Sequence, residues 1–385
     1  TQGYSSAASD VYKRQVDHSK RSQIRKFVKF GIDFYKDNPY YVPPLVMDDC
    51  NTLSPKKNPA FDFCEAQAFM AYRDGKPVGR IAGIINHKVN GRTGHKDLRF
   101  GFVDFIDDPE VSQALFDAVS RWGRDKGMTS IVGPLGFTDM DQEGMLTFGY
   151  DEVGTMATIY NYPYYPQHME RMGFEKDADW MEYYLTVPDA VPEKHRRIAE
   201  IVKERNGLKV KKYSSRKKIR EEYGVALFEL INEAYDKLYG YSPLSPKQIQ
   251  YYINMYLSIL NLELVTVVTD ADDKIVAIGI SIQSFSKALQ KCRGRIFPFG
   301  WVHLLPVLLG KSDAVDLLLI AVKPEYQSKG VNALLFADLI PYYIKNGYRH
   351  AESNPELESN AKVQNQWGSF EARQHRRRRA FRKPL

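Results

Sequence analysis

The feature that most constrains this chain is an order of predicted elements that occurs twice. In each half, a hairpin is followed by a strand, an amphipathic helix, a short strand and another helix. The first hairpin turns at Asp74-Gly75, a favoured turn pair, and the second turns in the aspartate-rich segment TDADDK. Strands that alternate with helices indicate an α/β fold. We therefore predict two α/β units of the same kind, each a mixed sheet with helices on both faces.

Landmarks in the two copies set the predicted domain boundaries. We place an N-terminal unit over residues 16–188, a connection over 189–216 and a C-terminal unit over 217–385. The turn lysine and the glycine that ends the next helix are 51 residues apart in the first copy and 73 apart in the second. The second copy therefore carries an insertion, which falls in LQKCRGRIFPFGWVHLLPVLLGK (289–311).

The first fifteen residues, TQGYSSAASDVYKRQ, do not read like the rest of the chain. They show no apolar periodicity, and SSAASDVYKRQ resembles a translated sequencing-adapter fragment. We exclude residues 1–15 from the fold as an artefact or a disordered tail, and expect no packed structure there.

Composition narrows the class of protein. Of the 385 residues, 43% are apolar, which is enough for ordinary buried cores. No apolar run reaches the roughly 18 residues that a membrane-spanning helix needs. Cys50, Cys64 and Cys292 are widely separated and lack the CxxC spacing of a zinc site, so we expect buried reduced thiols, no metal and a cytoplasmic protein.

The segment AVKPEYQSKGVNALLFADLI (321–340) predicts a strand, a polar loop and a helix in immediate succession. A helix N-terminus presents N–H groups without intrahelical partners at the positive end of the helix dipole, which suits an anion such as phosphate. Gly330 allows a close approach of the backbone, while small side chains begin the helix at Asn332 and Ala333. An ordinary strand-to-helix turn has the same outline.

The pattern Gln-x-x-Gly-x-(Gly/Ala/Asn) after such a strand resembles the pyrophosphate-binding segment of the GNAT acyltransferase superfamily. The resemblance covers 217–385 in full, and the first half from RDGKPVGRIAGI to MERMGF; the doubled arrangement resembles bacterial tandem GNAT proteins. It implies that acetyl-CoA or another acyl-CoA is the donor. The implied binding residues are Leu319, Ile320, Ala321, Val322, Gln327, Ser328, Lys329, Gly330, Val331, Asn332 and Ala333.

The first copy departs from this pattern at the corresponding loop. After FGFVDFI comes DDPEVSQALF, which has neither a glycine nor a basic residue. Asp107, Asp108 and Glu110 place negative charge where a pyrophosphate would lie, and carboxylates at this position cap the helix themselves. We therefore expect only the second copy to bind CoA.

Acyl transfer to an amine needs a base, a donor to the developing oxyanion and a proton for the leaving thiolate. The resemblance implies that a backbone N–H among Leu319–Ala321 serves the oxyanion and that a carboxylate is the base. Asp316, Glu352 and Glu358 are the candidates, and a strand cap or a solvated surface position is the alternative for them.

Two asparagines, Asn354 and Asn360, match the asparagine-rich point that follows the superfamily's next strand. The resemblance also implies a tyrosine about seven residues further on, which would protonate the thiolate. Trp367 stands there and has no acidic proton to give. This departure counts against ordinary acetyl transfer.

We predict a bacterial N-acyltransferase that moves an acyl group, with acetyl as the first expectation, from acyl-CoA to a small-molecule or peptide amine. One alternative is an aminoacyl-tRNA-dependent transferase, supported by the doubled fold and the basic run QHRRRRAFRK (374–383), which otherwise indicates a solvated edge strand. The other is a non-catalytic protein that binds CoA or an acyl group, supported by Trp367. The apolar stretch FPFGWVHLLPVLLG (297–310) predicts either the wall of an acyl tunnel or a cover for the seam between the copies.

Overall fold

A computed structural model describes residues 11–256 and 259–385 of the chain. Its strands are β1 Tyr12–Gln15, β2 Cys64–Arg73, β3 Lys76–Asn86, β4 Asp97–Phe105, β5 Ser130–Gly133, β6 Met145–Phe148, β7 Glu175–Thr186, β8 Lys209–Lys211, β9 Val265–Thr269, β10 Ile275–Gln283, β11 Ala314–Val322, β12 His350–Ser353, β13 Glu356–Leu357 and β14 Ala372–Pro384. Its α-helices are α1 Arg21–Phe34, α2 Val46–Thr52, α3 His87–Thr93, α4 Pro109–Asp125, α5 Tyr164–Arg171, α6 Glu193–Asn206, α7 Arg216–Tyr235, α8 Pro246–Tyr256, α9 Ser286–Cys292, α10 Trp301–Leu308, α11 Asn332–Lys345 and α12 Ala361–Gln364.

The chain divides into two compact units. Unit 1 comprises residues up to 147, together with 159–177 and 379–385, and unit 2 comprises 148–158 and 178–378. The predicted connection contains α6 and β8, which belong to unit 2.

Unit 1 is a mixed sheet in the order β1-β2-β3-β4-β5, followed by the end of β14. Its neighbouring strands are antiparallel except β4 and β5, which run parallel. Asp74 and Gly75 connect β2 to β3 with φ angles of 50° and 74°, and both positive values fit the two-residue turn that the sequence predicted. The first hairpin is therefore confirmed.

Helices cover both faces of the unit 1 sheet because β3 is apolar on both. Ile81 and Ile85 pack with residues of α4 in one core cluster, whereas Ala82 and Ile84 pack with residues of α1 in another. Successive side chains of a strand point to opposite faces, so this alternation places α1 and α4 on opposite sides. A strand buried on both faces needs a nearly continuous apolar run, and GRIAGII supplies it.

Unit 2 is also a mixed sheet, with the order β7-β12-β11-β10-β9-β8. The pair β11 and β12 is parallel, and the other printed pairs in this order are antiparallel. Val315 and Leu317 pack with side chains of α11, and α7 packs against β10 and β11. The prediction of two mixed-sheet α/β units is confirmed.

One expectation about the start of the chain is wrong. Tyr12–Gln15 forms β1 and pairs antiparallel with β2, where no packed structure was predicted. The ring of Tyr12 stacks on that of Tyr72 with centroids 5.4 Å apart, so an aromatic contact accompanies the strand pairing. Residues 1–10 lie outside the described part of the chain.

The cysteines agree with the sequence analysis: Cys50, Cys64 and Cys292 are buried free thiols. Of the helices in the described residues, none has the length and apolar character required to cross a bilayer.

Candidate functional site

The candidate site of unit 2 begins where β11 loses one of its two neighbours. Parallel pairing with β12 ends at Leu317 and Ser353, while β11 continues to Val322 and pairs there only with β10 among the described strands. The β10 register skips Leu318, so a bulge lies at the parting point. In an antiparallel pair the backbone groups face the partner and the opposite edge in alternation. Some N–H and C=O groups of 318–322 therefore face an edge without a strand.

Asn354 holds the two strands at this parting point. Its side-chain amide donates a 2.6 Å hydrogen bond to the carbonyl oxygen of Leu318, one residue beyond the last paired position. Ser353 links β12 to β7 at the same point, because its hydroxyl accepts a hydrogen bond from the N–H of Tyr183 at 2.9 Å. This contact gives Asn354 a role in fixing the open edge of β11.

Asp316 lies on β11 just before the strands part. Val315 and Leu317 pack with α11, so Asp316 points to the opposite face. It is only 2% exposed, and neither carboxylate oxygen accepts a well-formed hydrogen bond from the described residues. Burial and the neighbouring charge of Glu352 raise the pKa of Asp316 to about 7, and the nearby Ser284 hydroxyl opposes this only in part. A carboxyl group of this kind exchanges a proton near neutral pH.

Glu352 lies directly opposite Asp316 on β12, so the structure brings two predicted site residues together. Its Oε2 accepts a 2.6 Å hydrogen bond from Nη2 of Arg376. Burial raises the pKa of Glu352, and the ion pair with Arg376 opposes the increase. Glu352 thus has a fixed cationic partner, which Asp316 lacks.

Glu182 and two arginines of β14 form a buried charge network beside this pair. Nε of Arg376 donates to Oε2 of Glu182 at 2.6 Å, and Nε of Arg378 donates to the other oxygen. Arg376 and Arg378 are 0% and 1% exposed. Burial alone would raise the pKa of Glu182, but the two guanidinium groups outweigh it and lower that pKa.

The basic run at 374–383 is therefore not the solvated edge strand that its composition indicated. Arg376 and Arg378 are buried on Glu182, and Arg377 donates to Asp179 at 2.8 Å. Arginines used in internal ion pairs are not available for phosphates of a nucleic acid. The run gives the tRNA-dependent alternative no support.

His375 adds a second buried polar atom without a hydrogen bond, because its Nδ1 lies 3.4 Å from Oε2 of Glu152 while its Nε2 is left over. Its Nε2 has no hydrogen bond within the described residues and lies 3.7 Å from Oε2 of Glu352. Burial and the adjacent Arg376 lower the pKa of His375 to about 4, so the imidazole is neutral near pH 7. Sequence analysis missed His375 because a histidine inside an arginine run carries no catalytic signal of its own.

The loop between β11 and α11 leaves several backbone donors open. The N–H groups of Ser328, Gly330, Val331 and Asn332 donate no hydrogen bond to the described residues, whereas Ala333 and Leu334 donate to the carbonyls of Gly330 and Val331. The side chain of Gln327 folds back and donates to the carbonyl of Val322 at 3.0 Å, which braces the loop. The open N–H groups lie at the positive end of a 14-residue helix.

Gly330 is required by the local backbone of this loop. Its φ is +82°, and an added Cβ would lie 2.8 Å from Cγ2 of Ile198 on α6. Ser328 also has a positive φ of 62°. The positive φ angles at Ser328 and Gly330 turn the chain, so that the loop leads into α11 with several N–H groups just before the helix.

The remaining candidates lie outside this arrangement. Glu358 is exposed and pairs with Arg377, and Asn360 precedes α12 without a side-chain capping bond. Trp367 is buried in the α11 core cluster, and its Nε1 donates to Glu356 at 3.0 Å. No phenol stands at the position where the superfamily pattern implies one.

A tyrosine that sequence analysis missed lies at the open strand instead. Tyr235, the last residue of α7, donates a 2.9 Å hydrogen bond to the carbonyl oxygen of Ile320. Burial raises the pKa of Tyr235. A signal was available, because Tyr35, Tyr41 and Pro43 recur as Tyr235, Tyr241 and Pro243 at the same spacing after the first helix of each copy.

Unit 1 closes the corresponding strand edge and helix N-terminus with its own side chains. The N–H of Phe105 donates to the hydroxyl of Tyr165 at 3.0 Å, and the carbonyl of Phe105 accepts from Tyr164 at 2.6 Å. At the start of α4, the Asp108 carboxylate accepts from the N–H groups of Glu110 and Val111. The carboxylate therefore occupies the anion site of this helix.

A buried ion pair completes the contrast in unit 1. Nε of Arg80 donates to Asp104 at 2.6 Å, and the hydroxyl of Tyr35 donates to the other carboxylate oxygen at 2.8 Å. Unlike Asp316, the carboxyl of Asp104 has partners on both oxygens. No group of three or more His, Cys, Asp and Glu side chains in 11–256 and 259–385 is arranged to hold a metal ion.

Comparison with known proteins agrees with this organisation. Protein YghO of Escherichia coli K12 is 25% identical over 371 residues, covering 95% of this chain and 94% of its own. The bacterial ceramide synthase of Caulobacter vibrioides is 25% identical over 351 residues, covering 88% of this chain and 89% of its own. No protein-family profile matches the chain.

Solved structures show the same fold over nearly the whole length. A tandem GNAT protein from the clavulanic acid biosynthesis pathway aligns with a TM-score of 0.56 and 12% identity, covering 97% of this chain and 98% of its own. A GCN5-related N-acetyltransferase from Sphaerobacter thermophilus aligns with a TM-score of 0.51 and 12% identity, covering 97% and 95%. The chain is a tandem GNAT-fold protein, and its second copy carries the open strand and loop.

Proposed function

We propose that unit 2 transfers an acyl group from an acyl-CoA to a primary amine. The observation that carries the proposal is Asp316, a buried carboxyl whose oxygens accept no well-formed hydrogen bond from the described residues and whose pKa of about 7 suits a general base at neutral pH. It lies two residues before the bulge at which β11 and β12 part. Attack of an amine on a thioester requires a base close to the reacting nitrogen, and Asp316 lies close to the open part of β11 along which the donor would bind.

The donor would lie along β11 and end at the loop before α11. Its pyrophosphate would accept hydrogen bonds from the open N–H groups of Ser328, Gly330, Val331 and Asn332, as anions do at helix N-termini. The residues of 319–322 would pair with the amide groups of the donor's arm through the free strand edge. Gln327, Lys329 and Ala333 would shape the loop.

In the reaction, the amine attacks in its neutral form, and Asp316 takes the proton that the nitrogen gives up, directly or through a water molecule. Nitrogen bonds to the thioester carbon, and a backbone N–H of Leu319–Ala321 stabilises the oxyanion. The C–S bond breaks and the thiolate leaves with a proton. The hydroxyl of Tyr235 contacts the open part of β11 at the carbonyl oxygen of Ile320, and we assign it the role of proton donor to sulfur.

The name of one of the two relatives supports formation of an amide and widens the range of donors. A ceramide is an N-acylated long-chain amino alcohol, so the name of the Caulobacter relative denotes amide formation with a fatty acyl group. The sequence favoured acetyl as the first expectation. Acetyl-CoA and longer acyl-CoA donors therefore belong in the same assay.

A second candidate function is binding of acyl-CoA without transfer. It is favoured by Trp367, which is packed in the core where a proton-donating tyrosine was expected. One experiment separates the two functions. The full chain is incubated with each donor and a panel of primary amines, and both the amide product and free CoA thiol are measured. We expect product and thiol in equal amounts; protection of the fold by acyl-CoA with no product from any amine would favour the binding function.

A further inference from the structure

The insertion in unit 2 exposes an apolar surface that the proposed reaction does not use. We call it the 297–309 patch. Phe297, Phe299 and Leu309 are 79%, 74% and 73% exposed, far beyond what core residues show. The other exposed apolar members are Trp301, Val302, Leu305 and Leu308. Contiguous exposed apolar residues of this size mark interaction surfaces on soluble domains.

The helix within the patch is apolar on both sides. Leu304 and Val307 form its buried side, and α10 packs against α9. Trp301, Leu305 and Leu308 recur at helical spacing on the exposed side. The residues expected to wall an acyl tunnel are thus largely exposed, which a tunnel wall would not be.

The segment that carries the patch has charges of one sign, and Lys287 alone among its lysines forms an ion pair within the described residues, with Asp313. Residues 285–312 contain no Asp or Glu, and the nearest following acid is Asp313. The cations in this stretch are Lys287, Lys291, Arg293, Arg295 and Lys311. Aromatic and aliphatic side chains flanked by Lys and Arg are typical of segments that lie in the headgroup region of an anionic bilayer.

Two physical arguments narrow the choice of partner for the 297–309 patch. The helix has eight residues with Pro306 inside it, about 12 Å of rise, so it cannot span the roughly 30 Å of a hydrocarbon core. A twofold contact between two copies of the patch would bring the same cations together, because such an interface is self-complementary. An anionic lipid surface satisfies both the apolar side chains and the charge.

We propose that the 297–309 patch docks unit 2 on the surface of a bilayer that contains anionic headgroups. The phenyl groups of Phe297 and Phe299 and the indole of Trp301 enter the interface, and Lys291, Arg293 and Lys311 contact headgroup phosphates. The docking does not rest on the proposed acyl transfer.

The position of the patch in the fold predicts which end of β11 lies nearer the bilayer. Leu309 is followed within five residues by the start of β11, and Asp316 is the third residue of that strand. The loop at 323–331 follows the other end of β11, about 26 Å away at 3.3 Å per residue. A docked unit 2 would therefore hold the Asp316 end of β11 nearer the bilayer than the loop.

The test is co-sedimentation of the full chain with lipid vesicles. We expect binding to vesicles of phosphatidylcholine with phosphatidylglycerol, and much weaker binding to phosphatidylcholine alone. The combined variant Phe297→Ser, Phe299→Ser, Leu309→Ser should lose at least tenfold in binding. The matched control is Ile201→Ser with Val225→Ser, two exposed apolar residues of α6 and α7, which should bind as the wild type does.

Charge and fluorescence provide independent readouts. The variant Lys291→Gln, Arg293→Gln, Lys311→Gln should lose roughly fivefold per cation on anionic vesicles and little on neutral ones. Trp301 emission should shift to the blue on vesicle addition, and the shift should vanish in Trp301→Phe. Thermal unfolding of each variant verifies that the fold is intact.

Three outcomes would overturn the proposal. They are absence of vesicle binding by the wild type, equal binding by the patch variant, and a concentration-dependent dimer that the patch variant disperses in the absence of lipid. The last result would assign the patch to a second copy of the chain.

Discussion

The two units build the same strand–loop–helix segment and use its polar groups in opposite ways. In unit 1, tyrosine hydroxyls bond the backbone of Phe105 and the Asp108 carboxylate bonds the N–H groups at the start of α4. In unit 2, the N–H groups before α11 have no partner among the described residues, and the edge of β11 beyond Leu317 has no second strand, although side chains such as those of Asn354 and Tyr235 donate to its carbonyl oxygens. The same strand–loop–helix segment can therefore have its polar groups bonded by its own side chains, or keep them available for a ligand.

Buried carboxyl groups repeat this contrast. Burial raises the pKa of Asp104 in unit 1, but Arg80 and Tyr35 oppose that increase and fix the side chain through both carboxylate oxygens. Asp316 of unit 2 has no well-formed hydrogen bond, and its pKa lies near 7. Removing one partner of a buried ion pair is costly, so a paired carboxylate has a structural role. An unpaired buried carboxyl group is available for proton transfer.

The largest effect is expected on activity when Asp316 is changed. Asp316→Asn should lower the rate of amide formation by roughly 10²–10⁴-fold, the usual contribution of a general base. Binding of acyl-CoA should change little, because the loop is at the other end of β11. Steady-state rates and donor titrations measure the two quantities. A variant with the wild-type rate would remove Asp316 from the mechanism.

The corresponding change in unit 1, at Asp104, should affect stability instead of activity. Asp104→Asn leaves the Arg80 guanidinium buried beside a neutral group, and breaking a buried ion pair costs about 3–5 kcal/mol of unfolding free energy. Denaturant unfolding measures it. Asp37→Asn, at an exposed position, is the control and should stay within about 0.5 kcal/mol of the wild type. A small cost for Asp104→Asn would contradict the idea that unit 1 is closed by its buried pairs.

Asp316 should also make stability depend on pH. Its folded pKa of about 7 lies above the ordinary value of 3.8, so between these values the folded state holds a proton that the unfolded state has lost. The stability of the wild type should therefore fall as pH rises from about 4 to about 7, by up to about 4 kcal/mol. Asp316→Asn should remove this contribution and be more stable than the wild type at pH 8, whereas Asp49 and Glu356, whose pKa values burial raises to about 7 and about 8, should keep part of the fall in both proteins. Parallel pH profiles for both proteins would contradict the shifted pKa.

Replacing Gly330 should break the open loop of unit 2. In Gly330→Val the side chain would meet Ile198 and Val202 of α6, and a β-branched residue is strained at a φ of +82°. We expect at least a tenfold loss of CoA affinity by calorimetry, which is about 1.4 kcal/mol. Gly347→Val has a similar φ of +74° and open space around it, so it carries the strain without touching the loop. Equal losses in both variants would show that the effect is general strain.

The smallest effect is expected at the capped helix of unit 1. Asp108→Ala removes the cap of α4 and should cost about 1 kcal/mol of stability. The stoichiometry of CoA binding should be one per chain in the wild type and should stay at one in this variant. Detection of two equivalent sites in the wild type would refute the asymmetry between the units.

Sequence predicted the elements whose signals are local. The turn at Asp74-Gly75, the helix that begins at Pro109 and the strand–loop–helix order around Gly330 all depend on residues close together in the chain. These features follow from turn chemistry, caps and periodicity, which a sequence displays directly.

The buried charge network could not be predicted in the same way. Arg376 and Arg378 lie in a basic run, and their partner Glu182 is more than 190 residues away in sequence. From its composition, such a run is expected on a solvated surface. Only the strand order shows that a carboxylate lies beside it. His375 was missed for the same reason, whereas the repeated spacing at Tyr35 and Tyr235 was present in the sequence and would have indicated the phenol near Ile320.

The partition of the chain has a consequence for protein synthesis. Unit 1 includes residues 379–385, where Phe381 belongs to its core cluster and pairs with Gly133 of β5. Those residues leave the ribosome roughly 200 positions after residue 177, the end of the preceding segment of unit 1. The amino-terminal unit therefore cannot complete its core until those residues have been synthesised, although amino-terminal domains usually fold first. A nascent chain must hold an unfinished sheet until its last strand arrives, so chaperones that shield unpaired strands should matter more for this protein than its size suggests.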